Sequence, residues 1–192
     1  MPIKNPAVLD FLTTRRSRPA KTLTTPVPGP DELRILLTAA ARSPDHGKLE
    51  PWRFIVLSRP ALLRLADLVA ARGDALGKTA NDIDKAMSQF GNAHLAVAVI
   101  EQPKPSEKIP AIEQTYSTGA VCLALLNAAL ASGWGANWLS GWASHDRVFC
   151  KQGLNLAANE RIAGFIHIGT ETNAPPERPR PDMSQITTWI DS

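Results

Sequence analysis

Residues 42–54 read Arg42-Ser43-Pro44-Asp45-His46-Gly47-Lys48-Leu49-Glu50-Pro51-Trp52-Arg53-Phe54. They follow a helical pattern that begins at Asp31 and has its leucines on one face, and they precede an apolar run, 54–57, that predicts a buried strand. A polar loop that is bounded by prolines and held between two regular elements is typical of a binding site rather than of a linker. We therefore expect this loop to contribute to a site.

A second informative stretch, Thr14-Arg15-Arg16-Ser17-Arg18, follows a short helix that is predicted to begin at Asn5-Pro6. Two guanidinium groups offer bidentate donors to a phosphate, and the serine hydroxyl adds one more donor. The alternative is a solvated cationic helix end, where arginines complement the helix dipole. Taken alone, the cluster favours this alternative.

The remaining elements follow from apolar periodicity along the chain. Helices are predicted over 61–71, 112–132 and 144–151, and strands over 95–100, 137–139 and 161–169. The helix at 112–132 is apolar nearly all round from Ala120, so we expect it to be buried in a core or against another chain. The stretch 72–93 is polar and mixed, which suggests a segment that is mobile in part, with a lid as one interpretation.

Bulk properties exclude several classes of protein. The 192 residues suit one domain, 1–192, and a net charge of +3 is too small to indicate nucleic-acid binding. No apolar run is long enough to span a membrane. Cys122 and Cys150 suggest neither a disulfide framework nor a zinc site, so we expect a cytoplasmic protein.

Few residues of the sequence mark a catalytic or metal-binding site. His46 shows no metal-ligand spacing with the other three histidines, so no metal is expected, and Asp45 is a candidate to orient its ring. The sequence contains no nucleophile elbow, no Walker-type loop and no Gly-x-Gly-x-x-Gly after a strand. The turn at 137–142 is either a packed loop or a backbone that approaches a flat aromatic ligand closely.

The order of these pieces resembles the nitroreductase family of flavoproteins, most closely its small single-domain bacterial NAD(P)H nitroreductases. The resemblance continues through the helix at 112–132, the Trp138-Leu139-Ser140-Gly141 turn, the strand ending in Gly169-Thr170 and the Arg-Pro-Arg-Pro tail. It implies an α+β fold with a central mixed or antiparallel sheet flanked by helices. It also implies an intertwined homodimer with two FMN molecules at the interface, each contacted by both subunits.

The resemblance also implies a role for individual residues. Arg15, Arg16 and Ser17 would hold the phosphate and ribityl end of FMN, and Arg178 or Arg180 would complete the phosphate site. Arg42 and His46 would contact the cofactor from the loop. The isoalloxazine ring would lie along Trp138, Leu139, Ser140 and Gly141, with a backbone N–H facing the reactive nitrogen of the flavin.

Two residues depart from the family pattern. Glu50 stands where many relatives have a glutamine before Pro-Trp, and a carboxylate that points inward there would repel the anionic reduced flavin. Leu139 is apolar where close relatives can carry an arginine, which favours less polar substrates.

The implied activity is ping-pong hydride transfer from NADH or NADPH, through FMN, to a nitroaromatic or quinone-like acceptor. The cofactor carries this chemistry, so no side chain is expected to act as a nucleophile. Two alternatives stay open: specialised flavin chemistry, such as reductive dehalogenation or flavin breakdown, and a flavin-binding dimer with little turnover.

Overall fold

The computed structural model describes residues 3–191. The helices are α1 (Pro6–Thr14), α2 (Pro30–Ala40), α3 (Arg59–Ala75), α4 (Ala80–Gly91), α5 (Ala111–Ala131), α6 (Arg147–Leu154) and α7 (Met183–Ile186). The strands are β1 (Leu23–Thr24), β2 (Trp52–Ser58), β3 (Leu95–Glu101), β4 (Gly135–Leu139) and β5 (Arg161–Glu171). Short 3₁₀ turns occur at Ala20–Thr22, His46–Lys48 and Trp142–His145.

The five strands form one sheet in which every pairing is antiparallel. Its order is β1-β5-β3-β2, and β4 pairs with β5 beside β1. Ala98 lies opposite Phe165 where β3 meets β5, and Trp138 lies opposite Ile166 where β4 meets β5. The predicted α+β class is confirmed, and of the two sheet types expected, the antiparallel one is present.

Helices cover both faces of the sheet. One core packs α3, α4 and α6 against the sheet through side chains such as Leu62, Phe149 and Phe165. The other packs α2 and α5 through side chains such as Leu36 and Leu125. Strand β3 contributes alternate residues to the two cores and is buried throughout, as its continuous apolar run predicts.

The stretch 72–93 differs from its prediction. It contains the end of α3 and the whole of α4, whose first turn is capped by the Thr79 hydroxyl, which accepts from the Asp82 amide at 3.2 Å. Phe90 is only 1% exposed and lies edge-on to Phe165, with 5.1 Å between the ring centroids. The stretch is therefore mostly helical and is anchored by a buried aromatic side chain, while its mobility as a lid stays a prediction.

The predicted short helix at 144–151 is shifted. Residues 142–145 form a separate 3₁₀ turn, and α6 begins at Arg147. The cause is Asp146, whose carboxylate accepts from the amides of Val148 and Phe149 and so caps the helix at that point.

The long helix α5 is covered on one side only. Val121, Cys122, Leu125 and Ala129 are fully buried against the sheet, whereas Leu123 on the opposite side is 44% exposed. Within the chain, the helix is therefore part of a core on one face and open on the other.

The described residues contain no helix that is long and apolar enough to cross a membrane. Among residues 3–191, no group of three or more His, Cys, Asp or Glu side chains is placed to hold a metal ion. Cys122 and Cys150 are buried free thiols, and burial raises the pKa of Cys122 to about 12.

Candidate functional site

The N-terminal arginines line a cavity of about 440 Å³ beside the start of β4. Helix α1 ends where the Arg15 amide donates to the Phe11 carbonyl, and the chain then runs along β4. The Arg18 amide donates to the Ala136 carbonyl at 2.8 Å, and the Asn137 side-chain amide donates to the Arg18 carbonyl at 2.7 Å. These bonds fix the arginine cluster against the strand.

The cavity is lined by two carboxylates, Glu171 and Glu177, which pair with Arg18 at 3.3 Å and with Arg180 at 3.0 Å, and Arg15 and Arg16 are left with unused donors. The Nε atoms of Arg15 and Arg16 are buried without a hydrogen-bond partner in the described part of the chain, while Arg15 Nη2 donates to Ser17 Oγ at 3.0 Å. Burial lowers the pKa of Arg15, and the charges of Arg180 and Arg16 lower it further. Buried donors are almost always satisfied, so this arrangement fits an anion that has several acceptor oxygens.

One of the two tail arginines reaches this cluster. Arg180 Nη2 lies 3.0 Å from Glu177 Oε1 and 3.4 Å from the Arg15 carbonyl oxygen, to which it donates. Arg178 is exposed, and the contact described for it is its backbone amide, which donates to Glu177 Oε1. The structure therefore brings Arg180, rather than Arg178, to the N-terminal arginines.

The C-terminal end of β4 holds a flat indole. Trp138 Nε1 donates to the Ala163 carbonyl at 3.3 Å, and the ring lies over Gly164, where an added Cβ would overlap it. Ser140 and Gly141 follow and are exposed. Because a strand rises about 3.3 Å per residue, the two ends of β4 are roughly 13 Å apart. The arginine cavity and the exposed turn thus flank one short strand.

Side chains of α5 hold the loop at 42–50 in place. The His46 ring nitrogen Nδ1 lies 2.7 Å from Glu113 Oε2, and the Ser117 hydroxyl donates to the Pro44 carbonyl. Asp45 does not orient the histidine ring, contrary to expectation, because its carboxylate accepts from the Glu50 amide at 2.7 Å. Glu50 itself has a positive φ of 48° and is exposed.

No single cavity of the chain contains all of the predicted residues. Arg42 and His46 line surface cavities over α5, Trp138 lines a third cavity, and none of these shares a residue with the arginine cavity. The N-terminal arginines, Arg180 and β4 form one group, and the loop forms another.

Several residues at these surfaces were not found from the sequence. Glu113 lies 67 positions from His46, and Glu101 lies 60 positions from its partner Arg161 beside Trp138. Glu113 occupies an ordinary position in a predicted helix and Glu101 directly follows a predicted strand, so no local pattern marks either carboxylate.

The sequence matches the model of the Nitroreductase family over residues 12–170. It is 30% identical over 183 residues to the Escherichia coli protein named "Putative NAD(P)H nitroreductase YdjA", which covers 95% of this chain and 98% of the relative. The structure is similar to that of a nitroreductase-like family protein from Bacillus cereus, with a TM-score of 0.77, 24% identity and full coverage of both chains. It is also similar to a "putative nitroreductase in complex with fmn" from Desulfovibrio desulfuricans, with a TM-score of 0.73, 21% identity and 98% coverage of each chain.

Proposed function

Because the chain belongs to the nitroreductase family, we propose that it transfers hydride from NADH or NADPH, through bound FMN, to nitroaromatic or quinone-like acceptors. The chain is an oxidoreductase of this family, in agreement with the names of its curated relatives. The donor, the acceptor and the ping-pong order are the parts that we propose. We further propose that the protein works as one domain, in the cytoplasm, as a homodimer.

The unsatisfied arginine cluster carries this proposal. Arg15 and Arg16 present buried Nε donors without acceptors, beside the Ser17 hydroxyl and within reach of Arg180. Glu171 and Glu177 of the same cavity pair with Arg18 and Arg180, so a phosphate monoester would supply acceptors and a counter-charge to Arg15 and Arg16. The residues present therefore fit the phosphate end of FMN.

The end of β4 and the turn that follows it suit the isoalloxazine ring of the cofactor. We assign the ring of FMN to Trp138, Leu139, Ser140 and Gly141, where the backbone amides of the exposed Ser140 and Gly141 can donate to a ring nitrogen. FMN, when bound, accepts hydride from the nicotinamide and passes it to the acceptor. The protein holds the phosphate, orients the ring and leaves one face of it accessible, and none of these tasks needs a side-chain nucleophile.

The loop at 42–50 supports a site made by two chains. Arg42 and His46 line cavities that share no residue with the arginine cavity, which favours contact with the same cofactor from a second copy. The open face of α5 and the exposed tail, in which Trp189 is 84% exposed, leave apolar surface for a partner to cover. These features support the homodimer.

The test is a preparation of the full-length protein reconstituted with FMN under anaerobic conditions. We expect a yellow protein whose flavin absorbance is bleached by NADH or NADPH and restored by a nitroarene or a quinone. A yellow protein that neither nucleotide reduces would favour the flavin-binding dimer with little turnover. Reduction without reoxidation by either acceptor would favour specialised flavin chemistry, and failure to take up FMN would contradict the proposal as a whole.

A further inference from the structure

His46 and Glu113 form a pair that joins the loop at 42–50 to helix α5. The ring nitrogen Nδ1 of His46 lies 2.7 Å from Glu113 Oε2. Because an ionised carboxylate only accepts hydrogen bonds, Nδ1 is the donor of this bond. The second ring nitrogen, Nε2, receives no hydrogen bond from the residues that the structure describes, and the His46 side chain is 64% exposed. One side of the imidazole is therefore fixed and the other is free.

The loop that carries His46 is held in one position relative to α5. The Ser117 hydroxyl of α5 donates to the Pro44 carbonyl, on the N-terminal side of the histidine. On its C-terminal side, the Glu50 amide donates to the Asp45 carboxylate at 2.7 Å and closes the loop on itself. An imidazole held on both sides of the loop and by Glu113 is positioned before any ligand arrives, which is what a proton donor requires.

The imidazole lines a cavity of about 360 Å³ over α5, together with the side chains of Glu113 and Tyr116. The titratable and charged groups around it are Asp45, Lys48 and Glu50 on the loop and Glu113 and Tyr116 on α5. Two of the groups in the cavity lining can give up a proton from a neutral or cationic form, the imidazolium of His46 and the phenol of Tyr116. Glu113 favours the imidazolium, since an opposite charge stabilises it.

The acceptor reaction that we propose consumes protons as well as hydride. A quinone becomes a hydroquinone by taking one hydride and one proton, so that two C=O bonds become two C–O–H groups. A nitro group becomes a nitroso group and water by taking one hydride and two protons, and one N–O bond breaks. The hydride route supplies the electrons, and it leaves these protons to be supplied from another source.

We propose that His46 is the proton donor of the acceptor step and that Glu113 is the residue that positions it. The assignment rests on the proposed function, in which the loop of one copy contacts the cofactor held by the other. The Nε2–H bond breaks as an oxygen of the acceptor takes the proton, and the electron pair of that bond stays on Nε2. Glu113 keeps the proton on Nδ1 in place. Water then returns a proton to Nε2, twice in the case of a nitro acceptor.

The experiment compares two acceptors on the same FMN-loaded protein after anaerobic photochemical reduction. Benzoquinone needs a proton, whereas ferricyanide takes electrons singly and binds none. Rapid mixing at high salt, which screens charge differences between variants, gives the rate of flavin reoxidation by each. We expect the ratio of the benzoquinone rate to the ferricyanide rate to fall as the pH rises from about 5 to 8, where imidazole loses its proton. A ratio that is independent of pH would overturn the proposal.

The same ratio is measured in variants. We expect His46→Ala to lower it about 100-fold or more, the usual contribution of a positioned proton donor, and added imidazole to restore part of the loss. Glu113→Gln should lower it about 10-fold. Tyr116→Phe and the control His94→Gln, which lies outside the cavity, should leave it unchanged. An unchanged ratio in His46→Ala, or a loss in Tyr116→Phe instead, would overturn the proposal.

FMN affinity separates proton donation from a merely structural role of the pair. Quenching of flavin fluorescence should give the same Kd for Glu113→Gln as for the parent, because the carboxylate holds the imidazole rather than the cofactor. Weaker FMN binding with equal slowing of both acceptors would show that the pair only holds the loop, and would overturn the proposal.

Failure of this proposal is distinguishable from failure of the proposed function. If NAD(P)H bleaches the flavin and benzoquinone restores it equally well in the parent and in His46→Ala, the oxidoreductase function stands and the assignment of His46 is wrong. If neither nucleotide bleaches the flavin, but reoxidation of the photoreduced protein by benzoquinone still depends on His46, the assignment stands and the proposed hydride donor is wrong.

Discussion

At the scale of single residues, the Arg15 guanidinium group is the clearest case of a side chain that needs a ligand. Its Nε is buried without an acceptor, and the positive charges of Arg16 and Arg180 lie close to it. Arg15 is partly buried, and placing it beside two like charges is unfavourable when no anion is bound. We attribute its presence to the anion it binds.

We predict that Arg15→Ala weakens FMN binding about 10-fold to 100-fold, because a hydrogen bond to a charged group contributes about 1.5–3 kcal/mol. The melting temperature of the ligand-free protein should not fall, since a desolvated charge has been removed. Quenching of flavin fluorescence measures the FMN affinity, and thermal unfolding measures the melting temperature. Arg34→Ala, whose side chain is 77% exposed, is the control. If Arg15→Ala binds FMN as tightly as the parent, the phosphate assignment is wrong.

Gly164 is the second residue whose substitution has a specific expected effect on stability. A Cβ at this position would overlap the Trp138 indole, so Gly164→Ala should displace the ring and lower the free energy of unfolding by about 1–3 kcal/mol. Gly119→Ala on α5 is the control, because its Cβ meets open space and alanine favours a helix by up to about 1 kcal/mol. Urea unfolding measures both. Equal stability of the two variants would show that the indole is free to move.

At the scale of elements, α4 is part of the core. We predict that Phe90→Ala lowers the free energy of unfolding by about 3–5 kcal/mol, as expected for a buried phenylalanine. Asp84→Ala on the exposed side of α4 should change it by less than about 0.5 kcal/mol. Hydrogen exchange should show the amides of 80–91 protected to a similar degree as those of α3. Rapid exchange across 80–91 would restore the interpretation of this stretch as a lid.

One carboxylate, that of Glu160, connects β2 to the turn before β5 through hydrogen bonds. Glu160 accepts from Arg53 at 2.6 and 2.8 Å, from Gln102 at 2.9 Å and from the Ala157 amide at 2.9 Å. The hydrogen bonds from Arg53, above all, lower the pKa of Glu160 to about 2.

Because the folded pKa lies below the usual value of 4.5, Glu160 contributes stability above about pH 5 and loses it as the pH falls toward 2. The full contribution is on the order of 3 kcal/mol. We predict that the free energy of unfolding of the parent falls more steeply between pH 6 and pH 3 than that of Glu160→Gln. Parallel pH profiles of the two proteins in urea unfolding would contradict this role.

Much of the element order is predictable from the sequence because it depends on neighbours in the chain. The apolar run of β3, the proline and asparagine at the start of α1, and the glycine after α5 are all local signals. The partners of His46 and Trp138 are not predictable in this way. They come from elements that only the sheet topology brings together, as with Glu113, 67 residues from His46.

At the scale of the whole molecule, the predicted flavin contacts line different cavities of one chain, and we propose that a second chain brings them to one cofactor. We predict that sedimentation gives twice the mass of one chain, and that the dimer persists without FMN because α5 and the tail supply apolar surface. A monomer at micromolar concentration, with or without FMN, would contradict the two-chain site.

Flavin-mediated hydride transfer is tested most directly by an anaerobic titration of the FMN-loaded protein with NADH and NADPH, followed by addition of a nitroarene. We predict that one equivalent of at least one nucleotide bleaches the flavin band and that the nitroarene restores it. A flavin band that neither nucleotide bleaches would contradict the proposed oxidoreductase function.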